Sequence, residues 1–166
     1  MATIAYLKID TMRNACLTQG CNTEASMGQA YQEGHEDEIT VLSYSHMVAH
    51  EGQALHVPLK IVKRMDKSSP LLSQACTEAT ELECTLKFYR LNASSGQECF
   101  YEIELKGAVI KSVTPYMAHT IDFNEREMEE TITIAYRDIQ WRHVGLNTTG
   151  YSTWLSSFKN AEDTLS

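Results

Sequence analysis

Three histidines carry the sharpest chemical signal in the chain: His46-x3-His50-x5-His56 reproduces the histidine spacing of a zinc-protease site. That chemistry needs two histidines on one helical face and a Glu directly after the first as general base. Here Met47 stands at the Glu position and Gln53 at that of the turn glycine. The residues before His50 read as strand, which sets His46 and His50 about 13 Å apart by the rise per residue. They could share a metal only across a sharp bend. Surface or interface histidines are therefore expected, and neither a metal nor a cofactor is assigned.

Nucleophilic and acid–base chemistry is weaker still. Ser43 and Ser45 lack the glycines of a nucleophile elbow. The acidic run Glu125-Arg126-Glu127-Met128-Glu129-Glu130 has neither EF-hand spacing nor a turn glycine, and reads as a solvated loop or the start of a strand. No phosphate-binding or dinucleotide fingerprint occurs. Eight tyrosines and two tryptophans could line a carbohydrate groove, but core or tail-docking roles suit Trp141 and Trp154 better. No catalytic residue is assigned.

The elements that would position these groups are mostly strands. Residues 2–9, 38–48, 56–63, 82–90, 100–106, 109–113 and 131–141 read as seven strands, with 82–90 the clearest alternation. Residues 38–48 are apolar on both faces, with Ile39, Val41 and Met47 on one and Leu42, Tyr44 and Val48 on the other. One helix is predicted over about 69–79, with Ser69 as N-cap, Pro70 at the first helical position, and Leu71, Leu72, Ala75, Cys76 and Ala79 as its apolar stripe. The fold class is mainly β: a two-sheet β-barrel or sandwich with one amphipathic helix packed on its side. Residues 1–166 form one domain, with a long loop at 10–36 and a C-terminal tail at 150–166.

Composition agrees. A chain of 166 residues can bury roughly 70% of its extended surface, enough for one core. A net charge of −8 argues against nucleic acid, whose phosphates call for a basic footprint. No apolar run reaches the length of a membrane-spanning helix, and the N-terminus lacks the pattern of a secretory signal. Five cysteines, an odd number without such a signal, fit reduced thiols.

Several segments go further. Tyr-Leu-Lys-Ile (6–9), Leu-Ser-Tyr-Ser-His (42–46), His-Val-Pro-Leu-Lys-Ile (56–61) and Asp-Lys-Ser-Ser-Pro-Leu-Leu (66–72) occur in order. Lys-Phe-Tyr-Arg (87–90), Phe-Tyr-Glu-Ile-Glu-Leu (100–105) and Ile-Ala-Tyr-Arg-Asp-Ile-Gln-Trp (134–141) follow. The ordered set resembles the hemolysin-coregulated protein (Hcp) family, and Asp-Lys-Ser-Ser-Pro before a short helix is its strongest part.

The resemblance implies a structural protein, not an enzyme: the inner-tube subunit of the type VI secretion system of Gram-negative bacteria. It implies a homohexamer whose rings stack into a hollow tube, with spike, sheath and baseplate components as partners and effector proteins in the lumen. Such a subunit is cytoplasmic when assembled and then secreted through the apparatus without a signal peptide. Neither nucleic acid nor membrane insertion is implied. By the same analogy the loop after strand 38–48, with His50, Glu51, Gly52 and Gln53, reaches the neighbouring ring. The length leaves no room for an attached toxin domain. Two other readings stay open: a monomeric β-barrel binding a carbohydrate or another ligand, and a zinc hydrolase using the histidine trio.

Overall fold

The computed structural model describes residues 3–154. Ten strands form: β1 (Ile4–Thr11), β2 (Ile39–Ser45), β3 (Val48–His50), β4 (Ala54–His56), β5 (Leu59–Arg64), β6 (Leu82–Asn92), β7 (Gly96–Tyr116), β8 (Glu129–Ala135), β9 (Asp138–His143) and β10 (Thr148–Thr153). Helix α1 (Glu24–Met27) is one turn, and α2 (Ser69–Thr77) is the main helix. The large sheet runs β10-β9-β7-β6-β1-β2-β5-β8, and a further β7–β8 pairing closes six of its strands into a barrel. Strands β3 and β4 form a separate hairpin. The mainly-β fold class therefore stands.

Period-two alternation builds the core. Ala5, Leu7 and Ile9 of β1, Leu82, Cys84 and Leu86 of β6, and Ile132 and Ile134 of β8 all point into the barrel, joined by Leu72 and Ala75 of α2. On the opposite face of β1, Tyr6 is also buried, because His35 stacks on its ring at 3.7 Å between centroids. The segment 10–36, expected as one long loop, carries α1 and a turn of 3-10 helix at Gly28–Ala30. Buried polar groups staple it to the sheet. Asn22 Oδ1 accepts from the Gln32 amide and its Nδ2 donates to Thr40, while Thr18 donates to the Asp37 carbonyl at 2.7 Å.

The strand boundaries differ from expectation wherever the backbone bends. Residues 100–106 and 109–113 are one strand, β7, bent at Gly107. Residues 131–141 divide into β8 and β9 opposite that bend. There the Arg137 amide donates to both the Lys106 and Gly107 carbonyls. Gly107 has a φ of +59°, and a Cβ on it would stand 2.8 Å from Cβ of Arg137.

Residues 56–63 divide at Pro58, which has no N–H for a ladder. Residues 38–48 divide at His46 and Met47. A bulge between Val41 and Ser43 also flips the side-chain parity of β2, so that Ile39, Val41 and Tyr44 all pack on the core and Leu42 faces out. The two apolar faces expected there thus reduce to one main face.

The helix and its cap begin one residue earlier than expected. Ser68 is the N-cap, Ser69 is the first helical residue, and the helix ends at Thr77. Of the expected C-terminal tail, 150–153 belong to β10, Trp154 packs against the core, and 155–166 lie outside the described residues.

Candidate functional site

Ser69 leaves the capping position because its hydroxyl is used elsewhere. It donates to Glu130 Oε1 at 2.7 Å and accepts from the Asp66 amide and from Lys63 Nζ. Lys63 Nζ also reaches the Glu130 carboxylate, Asp66 Oδ1 at 3.2 Å and the Arg64 carbonyl at 3.0 Å. All three charged side chains are buried. The Asp-Lys-Ser-Ser-Pro segment thus ties α2 to β5 and β8 through one cation and two carboxylates. The sequence reading of Glu130 as part of a solvated loop or the start of a strand holds for the strand, since Glu130 lies at the start of β8, but not for the solvation, and Lys63 was passed over. A lysine inside an alternating apolar strand was the available signal.

The three histidines do not converge on one point. His50, Glu51, Gly52 and Gln53 form the exposed tip of the β3–β4 hairpin, where the Glu51 amide donates to the Gln53 carbonyl and Gly52 takes a φ of +76°. His46 and His56 sit at the base of the hairpin and meet at the Tyr136 hydroxyl. His46 Nε2 lies 2.8 Å from that oxygen and His56 Nδ1 2.7 Å. His56 Nε2 lies 3.0 Å from Ser152 Oγ of β10, and Trp154 stacks on the His56 ring. His56 is only 6% exposed, so of the expected surface or interface placement the surface one fails for it. The bend at Gly107 and Arg137 places Tyr136 between the two rings. The apolar face of β8 continuing to Tyr136 was legible, but its hydroxyl partners, 80 and 90 residues upstream, were not.

Neutral rings satisfy every proton here in one sense of donation. With its hydrogen on Nδ1, a neutral His46 accepts the Tyr136 hydrogen at Nε2. His56 Nδ1 then donates to Tyr136, and Ser152 donates to His56 Nε2. Burial holds both histidines below their ordinary value, and the nearby His56 charge adds to the effect on His46. Burial raises the Tyr136 phenol, with a smaller push from Tyr44.

The Ser152–His56 pair has the outline of a nucleophile and its base. The group that orients His56, however, is a neutral phenol and not the carboxylate that would stabilise an imidazolium. The arrangement is a clasp joining the hairpin to the β8–β9 bend and to β10. Cysteine chemistry is equally quiet, since burial pushes the Cys21 and Cys84 thiols up to about 12.

Exposed apolar side chains include two groups of four, beside scattered ones such as Leu91, Leu146 and Tyr151. Leu42, Met47, Val48 and Leu55 line the hairpin region, and Tyr116, Met117, Ile121 and Phe123 lie at the end of β7 and in the connection to β8.

The family described as "Type VI secretion system effector, Hcp" matches residues 6–143. The chain is 35% identical over 168 residues to the Major exported protein of Pseudomonas aeruginosa, covering 94% of this chain and 98% of that protein. It is 32% identical over 149 residues to the uncharacterized protein YhhZ of Escherichia coli K12, covering 89% of this chain but 37% of that longer protein. Among solved structures it is similar to the secreted protein Hcp3 from Pseudomonas aeruginosa, at 36% identity and a TM-score of 0.82, covering 92% and 99% of the two chains. A crystal structure of an Hcp protein matches at 29% identity and a TM-score of 0.85, covering 92% and 98%.

Proposed function

The chain belongs to the Hcp family of type VI secretion proteins, and on that footing we propose that it is an inner-tube subunit. Six copies close into a ring, rings stack into a hollow tube, and the tube leaves the cell with effector proteins in its lumen when the sheath contracts. The observation that carries self-assembly is the apolar surface. Side chains from Leu42 to Leu55 on the hairpin side and from Tyr116 to Phe123 beyond β7 are exposed at 39% to 82%, more than a monomer gains by showing to water. A ring built from two different faces of one subunit is a heterologous contact that closes.

The exposed tip at His50, Glu51, Gly52 and Gln53 is the ring-stacking contact in this reading. It stands clear of the barrel on its own small sheet, held at its base by the Tyr136 clasp. Partners are further copies of the chain together with the spike, sheath and baseplate. The role is mechanical and draws on no catalytic residue. The subunit assembles in the cytoplasm and is exported by the apparatus to which it belongs.

Negative-stain microscopy of the purified protein tests this directly. Six-fold rings with an open centre are expected. Strictly monomeric particles at high concentration would overturn the reading in favour of a ligand-binding barrel.

A further inference from the structure

We propose that His46, Tyr136 and His56 form an acid-released clasp: when both histidines are protonated, the base of the β3–β4 hairpin detaches from the β8–β9 bend and from β10. The Tyr136 hydroxyl has a single hydrogen and lies within hydrogen-bond distance of two ring nitrogens, at 2.8 and 2.7 Å. With both rings neutral it donates to His46 and accepts from His56, so every proton has an acceptor.

A first added proton can be absorbed. His46 then donates to Tyr136, the hydroxyl turns to donate to His56 Nδ1, and His56 Nε2 donates to Ser152 Oγ at 3.0 Å. The hydrogen bonds all reverse and none is lost.

A second proton cannot be absorbed. Both rings then donate to Tyr136, its own hydrogen has no acceptor among these groups, and two cations share one buried oxygen. Either defect is costly away from water. Among the described residues, no carboxylate hydrogen-bonds or ion-pairs with either ring. The ionisable groups facing the cluster are Tyr44 from β2 and Tyr136 from the bend, while β10 brings Ser152 and the residue after it Trp154. Arg137, next to Tyr136, is turned away onto Asp138 and Glu81.

The elements freed are specific. His46 and His56 flank the hairpin, so loss of the clasp loosens residues 47–56, including the tip at 50–53. The barrel, whose core does not include the two histidines, stays closed. The inference rests on the hydrogen-bond geometry and holds whether or not the tip joins rings.

Hydrogen exchange measured by mass spectrometry on the full chain tests it, with rates corrected for the intrinsic pH dependence of exchange. Protection of amides in 47–56 is expected to fall about tenfold or more between about pH 7.5 and about pH 5, across the histidine range, while β1 and β6 keep theirs. The H46Q/H56Q double variant, whose amides do not titrate, should lose this response. Equal protection of 47–56 in the native protein at both pH values would overturn the proposal. So would an acid response that persists in the double variant. If that variant does not fold, Y136F serves in its place, with the hairpin expected to exchange fast at both pH values. A tight, acid-sensitive hairpin in Y136F would also count against the clasp.

Discussion

The Lys63 ammonium meets the Glu130 carboxylate 67 residues further along the chain, and both side chains are at most 1% exposed. Asp66 and Ser69 complete the cluster, so that a strand, the N-terminal turn of α2 and a second strand are joined by charge inside the fold. Such a cluster adds little net stability over an apolar one, because desolvation offsets the Coulomb gain. Losing one member is a different matter, since the charge left behind has no water.

Lys63→Met alone should therefore cost about 3–5 kcal/mol of unfolding free energy, leaving Glu130 and Asp66 as facing buried carboxylates. Glu130→Gln should cost less, because Asp66 still balances Lys63 and the amide oxygen can still accept from Ser69. Urea unfolding of both variants and of the double variant gives the coupling. Additive losses would mean that the two side chains act independently, contrary to the contact.

Gly107 and Gly28 offer a paired test of the bend. Both have a φ near +60°, but only at Gly107 does a Cβ meet something, namely Cβ of Arg137 at 2.8 Å; around Gly28 there is open space. Gly28, with a ψ of −138°, lies outside the left-handed helical region in a conformation that favours glycine, so Gly28→Ala should cost about 1–3 kcal/mol of conformational strain alone. Gly107→Ala adds the clash and should cost about 2–4 kcal/mol, because β7 and β8–β9 cannot separate without losing ladder bonds. Thermal melts of the two variants decide it; equal shifts would show that the bend has slack.

Acid stability follows from the same two histidines. Burial holds both rings below the ordinary value, near 6.5, that they regain on unfolding. As pH falls the unfolded chain takes up protons first. The stability that these rings contribute is complete above about pH 6.5 and is lost as pH drops through their lower folded values. Melting temperature against pH should fall more steeply below that point in the native protein than in H46Q/H56Q. Parallel curves would mean that the rings titrate alike in both states.

Much of the barrel could be read from the sequence because alternation survives wherever a strand has one buried face, as in Leu82, Cys84, Leu86 and Phe88. Reading failed where the backbone changes parity or direction: the bulge at Leu42, the break at Pro58 and the bend at Gly107. Periodicity carries no trace of a bulge, since one extra residue looks like a second apolar face. The candidate sites were legible in part. Asp-Lys-Ser-Ser-Pro stood out as a motif, yet its purpose depends on Lys63 and Glu130, brought in by strand pairing. The histidine spacing suggested a metal, whereas the fold sends His50 to the hairpin tip and closes His46 and His56 on a tyrosine.

The tip supplies the sharpest test of ring stacking. Glu51 is exposed, and its backbone amide, not its carboxylate, closes the turn onto Gln53. Glu51→Lys should thus leave the hairpin and the isolated subunit intact, so that any effect reports on a contact with another molecule. A single exposed charge pair is worth only about 0.5 kcal/mol, too little to see in one interface. Six such contacts around a ring sum to about 3 kcal/mol, roughly a hundredfold in a stacking equilibrium. Glu51→Lys is therefore expected to shift stacked tubes toward single rings at low salt, and added salt should shrink the difference. Sedimentation with parallel electron microscopy reads both states. Rings that fall apart into monomers would place Glu51 at the contact within a ring. Unchanged stacks would remove the tip from the stacking surface.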